Sequence, residues 1–178
     1  VVYIFRTFAP QMKKKKNITF IINPISGNQD KDDIPKMIEE EIDSKRFDVD
    51  IRITDHKGHA AEIAKECATK GIEVVVAVGG DGTVNEVARS LTHTQSALGI
   101  IPCGSGNGLA RHLCIPMNIR KALNIINQCQ IEAFDYGVIN GIPFFCTCGM
   151  GFDAFISLKF AEAGKRGPIT YVENVLKE

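Results

Sequence analysis

Asp81 stands among Gly79, Gly80 and Gly82 in the stretch VVVAVGGDGTVNE, residues 74–86. Glycines let a backbone reach positive φ and approach a ligand closely. Successive free N–H groups can then cradle phosphate oxygens, and a helix starting near Thr83 adds its positive end. A carboxylate repels phosphate, so a pure phosphate cradle would avoid Asp81. Asp81 fits there if it holds Mg²⁺ or takes a proton from an attacking hydroxyl. Its simplest structural role is to cap the following helix through the Thr83 or Val84 N–H.

Two more glycine-bearing stretches weigh towards chemistry: NPISGN at 23–28 and PCGSGNGLAR at 102–111. Asn23 and Ser26 lie in the first, although Asn-Pro and Ser-Gly are also ordinary turn residues. The dinucleotide pattern GxGxxG fails, because Asn85 and Leu109 occupy its last position. The Walker A loop fails too, since Gly164-Lys165 precedes Arg166 and lacks the spacing. Asn85, Glu86, Arg89 and Arg111 face either ligand or solvent. His56 and His59, three apart, have no second ligand pair at metal-site spacing and read as structural or surface residues.

These loops need elements to hold them. ITFII, 18–22, reads as a buried strand. Ile34, Met37, Ile38 and Ile42 follow at helical spacing. FDVDIRIT alternates, which predicts a strand near a sheet edge. Ala60, Ile63, Ala64, Cys67 and Ala68 form the next helical stripe. VVVAV, 74–78, is apolar without alternation, as in a parallel strand covered on both faces. Val84, Val87, Ala88 and Leu91 mark a helix, ALGIIP a strand, and Ile119, Ala122, Leu123 and Ile126 a helix with Asn118 as N-cap. Alternating strands and helices predict an α/β fold, an open, mostly parallel sheet with helices on both faces. All three glycine loops then leave carboxyl ends of strands, where such sheets bind ligands. After residue 130 two strand-like runs flank Asn140-Gly141, a hairpin signal and the start of a β-rich second domain.

The 178 residues suffice for one domain and part of another. Twenty-one basic and 21 acidic residues cancel, so no net field steers the chain to nucleic acid. Lys13–Lys16 read as a solvated start; with Met12 they suggest that residues 1–16 are an N-terminal extension. Six cysteines without a CxxC pair read as reduced thiols of a cytoplasmic protein. No run has the length of a transmembrane helix.

INPISGN, TDHKGHA, AVGGDGTVNEV and IIPCGSGNGLAR together resemble, in order and spacing, the diacylglycerol kinase catalytic domain superfamily. It includes diacylglycerol, sphingosine and ceramide kinases. The GGDGT block alone is shared with NAD kinases and phosphofructokinases, whose sheet architecture the resemblance implies. It further implies an ATP-binding kinase domain over 17–129 and the beginning of a lipid-binding β-sandwich over 130–178. The implied activity is an ATP- and Mg²⁺-dependent transfer of the γ-phosphate to a lipid hydroxyl, of diacylglycerol or a sphingoid base. Asn23, Ser26 and Gly27 look like the first nucleotide loop, and Thr54 like the threonine that touches nucleotide ahead of Gly58-His59-Ala60. Gly79, Gly80, Asp81, Gly82, Thr83, Asn85 and Glu86 look like the central ATP block. Ser105, after Gly104, matches the position where relatives have Thr or Ser near the phosphates; Asp81 is similar to an aspartate proposed as base or metal-linked. GMGFDAF, 149–155, resembles the opening of the lipid domain, with Asp153 at the substrate head group. Many diacylglycerol kinases have Gly-Thr-Xaa-Asn-Asp where this chain has Gly104-Ser105-Gly106-Asn107-Gly108, which is more like sphingosine kinases. Family members continue into a longer β-sandwich, so a truncated chain is expected. Phenylalanines after 142 would then lack their packing partners and favour a homodimer. The lipid substrate implies a protein peripheral to a membrane. The alternatives are an NAD kinase-like phosphotransferase and a non-catalytic nucleotide-binding regulator.

Overall fold

The computed structural model describes residues 14–27, 32–149, 151, 154 and 155. Its centre is a parallel sheet of four strands: β1 (Lys16–Ile22), β2 (Phe47–Ile53), β3 (Val74–Gly79) and β4 (Ala97–Pro102). The spatial order is β2-β1-β3-β4. Ile18 pairs with Val49 on one side and Val74 on the other, and Val76 with Gly99. Strand order reverses between β1 and β3, and such a reversal opens a crevice at the carboxyl edge of the sheet.

Side chains two apart on a strand share a face. On one face Ile18, Phe20 and Ile22 join Val74, Val76 and Val78 under helices α1 (Ile34–Glu41) and α5 (Ile119–Gln128). On the other, Ile21, Val75 and Ala77 meet α2 (His59–Thr69) and α3 (Asp81–Leu91). This double cover is why 74–78 is apolar throughout. Every residue of β3 is buried, whereas β2, at the edge, alternates from buried Phe47 to exposed Asp48. Phe20 is fully buried, and truncating such a residue costs about 3–5 kcal/mol. Burial pushes the Cys67 thiol up from its ordinary pKa, so it packs as a neutral apolar group. None of the six cysteines is in a disulfide.

The predicted helical stripes are the buried ones. Ile34 and Ile38 of α1, Ala60, Ile63, Ala64 and Cys67 of α2, and Val84, Val87, Ala88 and Leu91 of α3 all face inward. Asn118 caps α5 by accepting the Lys121 N–H at 3.1 Å. Two details differ from the sequence reading. Helix α3 begins at Asp81, two residues before Thr83, with Gly80 as N-cap. A five-residue helix, α4 (Gly108–His112), follows the third glycine loop, too short to show an apolar period.

Strands β5 (Gly137–Ile139) and β6 (Ile142–Phe144) form an antiparallel hairpin. Its turn residues Asn140 and Gly141 have φ of 50° and 77°, as a two-residue type I′ turn requires. The hairpin rests against α3, where the Arg89 Nε–H donates to the Pro143 carbonyl at 3.0 Å.

Candidate active site

The turns after β1, β2, β3 and β4 all open on one edge of the sheet, so the quoted glycine loops converge. Their glycines serve mainly to let the loops touch. A Cβ on Gly27, at φ +68°, would lie 2.1 Å from the Cys103 carbonyl oxygen. One on Gly104 would lie 2.5 Å from the Gly80 Cα, and one on Gly79 2.5 Å from the Thr83 hydroxyl. No side chain fits at those distances. Gly82 differs: a Cβ there meets nothing within 4 Å.

Polar contacts fix the same arrangement. The Asn23 Nδ2–H donates to the Thr83 Oγ1 at 3.0 Å, bridging the first loop and α3 across the β1–β3 crevice. The Asn23 Oδ1 accepts the Ile25 N–H at 3.1 Å, and the Ser26 hydroxyl donates to the Asn23 carbonyl at 3.1 Å. Ser26, Thr54 and Thr83 are buried. The Thr54 N–H donates to the Ile22 carbonyl at 2.9 Å, which sets Thr54 beside the start of the first loop. Gly80, Gly104, Asn85 and Glu86 are half-buried; Asp81, Gly82 and Ser105 are exposed at the mouth.

The Asp81 carboxylate closes the second loop onto the third. Its Oδ2 accepts the Asn107 N–H at 2.8 Å and its Oδ1 accepts the Gly108 N–H at 2.6 Å. It therefore caps α4, which follows the neighbouring strand β4, rather than its own helix through Thr83 or Val84. Each oxygen keeps a lone pair that these bonds do not use. Helix α3 itself has no side-chain cap. Its first-turn N–H groups lack partners inside the helix, as at any helix start, and they carry its partial positive charge.

Sequence reasoning passed over Asn107. At φ 55° it takes the left-handed conformation. Its Oδ1 accepts the Gly104 N–H at 2.9 Å, and its Nδ2–H donates to the Gly104 carbonyl at 2.7 Å. The signal was present: asparagine is the non-glycine residue most at ease at positive φ, and Asn107 lies between two glycines. Arg111, read as facing ligand or solvent, donates through Nε–H to the Gly106 carbonyl at 2.8 Å and so braces the third loop. Arg89 is likewise engaged with the hairpin. Asp153 lies outside the described residues.

Residues 17–139 match the family described as Diacylglycerol kinase catalytic domain. This chain belongs to the diacylglycerol kinase catalytic domain family. A Cronobacter sakazakii protein described as "Probable lipid kinase YegS-like" is 34% identical over 107 residues, 58% of this chain and 36% of that protein. A Yersinia pestis protein of the same description is 36% identical over 105 residues, 57% of this chain and 36% of its own length. Among solved structures, a diacylglycerol kinase from Bacillus anthracis str. Sterne superposes with a TM-score of 0.63 at 30% identity. The superposition covers 74% of this chain and 48% of that one. The chain thus spans between a third and a half of the relatives it matches. The α/β sheet expected from strand and helix alternation is the fold of this family. Among the described residues, no helix is long and apolar enough to cross a membrane.

Proposed function

We propose that this chain carries the nucleotide side of a lipid kinase, which transfers the γ-phosphoryl group of ATP to a lipid hydroxyl. One observation carries the reading. In a chain of this family, the uncapped start of α3, open at Gly82, is framed by the first and third loops. Phosphate oxygens placed there accept N–H groups that the helix leaves without partners. Gly80 and Gly104 let the second and third loops close on each other beside it, and Asn23 holds Thr83 in place. Thr54, Ser26, Gly27 and Ser105 border the nucleotide; Asn85 and Glu86 flank it from α3.

Mg²⁺, when bound with ATP, neutralises charge on the phosphates. The exposed Asp81 carboxylate fits that ion, because a Mg²⁺ site needs only one or two carboxylates beside the phosphates. Asp81 also keeps Asn107 and Gly108 in register, so the third loop presents its backbone to the nucleotide. The acceptor is diacylglycerol or a sphingoid base, met at a membrane surface by a peripheral, cytoplasmic protein, with Asp153 at its head group. Exposed Val138, Ile142 and Phe155 support self-association into a homodimer.

The test is transfer of label from ATP by the full-length protein to diacylglycerol, a sphingoid base, ceramide and NAD in parallel. Label on one lipid is expected. Label on NAD instead makes the protein an NAD kinase-like phosphotransferase. ATP binding without any labelled product makes it a nucleotide-binding regulator.

A further inference from the structure

Three side chains at the turn between β2 and α2 play no part in this reading. Asp55, His56 and His59 each bring a ligand atom within 4.8 Å of the others. The Asp55 Oδ1 lies 2.5 Å from the His56 Nδ1 and 2.7 Å from the His59 Nδ1. The two imidazoles are stacked, with centroids 4.6 Å apart and planes 8° from parallel. Gly58, in the left-handed region at φ +90°, folds the chain so that both rings face one carboxylate. Spacing alone hides this, because the third ligand precedes the pair and the turn supplies the convergence.

The His59 Nδ1 accepts the Asp55 backbone N–H at 3.2 Å, which uses a lone pair on that nitrogen. The same nitrogen lies 2.7 Å from the Asp55 Oδ1, so a nitrogen that carries a lone pair and a carboxylate oxygen are already neighbours. The near-parallel rings turn about their side-chain bonds for both Nδ1 lone pairs to meet one cation beside that oxygen. The far nitrogen of His56, Nε2, faces the Glu62 Oε1 at 3.4 Å. That is the pairing by which a carboxylate orients a metal-bound imidazole through its other N–H.

We propose that Asp55, His56 and His59 bind a divalent first-row transition ion, Zn²⁺ foremost, with Glu62 orienting His56. Two imidazoles and a carboxylate suit Zn²⁺ and leave a coordination position for water. Bonds of about 2.0–2.2 Å to one ion require the Asp55 oxygen to open from each nitrogen by roughly 1 Å or less. Asp55 and His56 are exposed and free to make that movement. The bound ion ties the carboxyl end of β2 to the first turn of α2. The inference stands whether or not the protein is a kinase.

Titrating Co²⁺ alone into the purified protein, followed by its visible d–d absorption and then by Zn²⁺ competition, tests the site. About one equivalent is expected to bind and to be displaced by Zn²⁺. His56→Ala and His59→Ala should each weaken binding at least roughly tenfold, with far-UV circular dichroism unchanged. In the unmutated protein, Zn²⁺ should shift the imidazole NMR signals of His56 and His59, a readout that needs no variant to fold. Absence of Co²⁺ binding overturns the proposal. So do affinities unchanged in both variants, or near-ultraviolet thiolate-to-cobalt bands that place the ion on cysteine.

Discussion

Asp81 shows how one side chain can serve position and charge together. Its two bonds to the start of α4 are charge-assisted, and each such bond contributes roughly 1.5–3 kcal/mol. Asp81→Asn keeps the shape but removes the charge and one acceptor oxygen. We expect a loss of about 1–2 kcal/mol in denaturant unfolding, and loss of turnover in the full-length enzyme. Unchanged stability would mean that these two bonds hold nothing together. The glycines give a sharper contrast. Gly27→Ala drives a Cβ into the Cys103 carbonyl at a positive φ, so it should destabilise by about 2 kcal/mol or more. Gly82→Ala meets nothing and lies in the first turn of a helix, where alanine is favoured by up to about 1 kcal/mol. It should leave stability level or raised, yet weaken ATP binding, because the new methyl group stands where the phosphates approach. Calorimetric titration of both variants with ATP, beside their melting curves, separates loop packing from ligand contact. If Gly82→Ala bound ATP normally, the phosphates would not lie at the start of α3.

Elements are placed by a few tertiary ties beyond their apolar stripes. Asn127 of α5 reaches the end of α1, where its Nδ2–H donates to the Glu41 carbonyl at 2.6 Å and its Oδ1 accepts the Asp43 N–H at 3.0 Å. Asn127→Ala removes both bonds, and urea unfolding should show a loss of about 1–3 kcal/mol. A value near zero would mean that water replaces the side chain at no loss. The element framework was legible because burial writes its period into the chain. Val74–Val78 is apolar on both faces, Phe47–Ile53 on one, and the stripes of α1, α2, α3 and α5 repeat at helical spacing. The site was legible only as a location. Glycines announce close approach but not what approaches, and here much of it is the other loops: Gly27 against Cys103, Gly80 against Gly104. The acceptance by Asp81 of N–H groups 26 and 27 residues away has no local signature. Nor does the reach of Asn127 to α1. Helix α4 is a single turn, set by Asp81 and Asn107 rather than by its own sequence.

At the scale of the molecule, the hairpin is the part whose attachment matters, since it leads from the nucleotide loops towards the remainder of the chain. It shares no strand pairing with the central sheet. Side chains hold it instead. Arg89 on α3 donates to the Pro143 carbonyl, and Phe145 packs on the α2–α3 side of the core. The Tyr136 hydroxyl meets the His93 Nε2 at 3.0 Å, and the Tyr136 and Phe145 rings lie 5.5 Å apart. Three-residue strands contribute little by themselves, and an isolated hairpin is marginal in water. Its order is therefore borrowed from α3, the helix whose N-terminus faces the proposed phosphates. Arg89→Ala cuts one tie at the far end of that helix, on an exposed side chain that the core does not need. Amide hydrogen exchange should accelerate over residues 137–144 by about tenfold, the effect of losing roughly 1.4 kcal/mol of local stability, and stay unchanged in β1 and β3. Equal acceleration in the sheet would show that hairpin and sheet open as one unit. Unchanged exchange in the hairpin would show that Tyr136 and Phe145 hold it without Arg89.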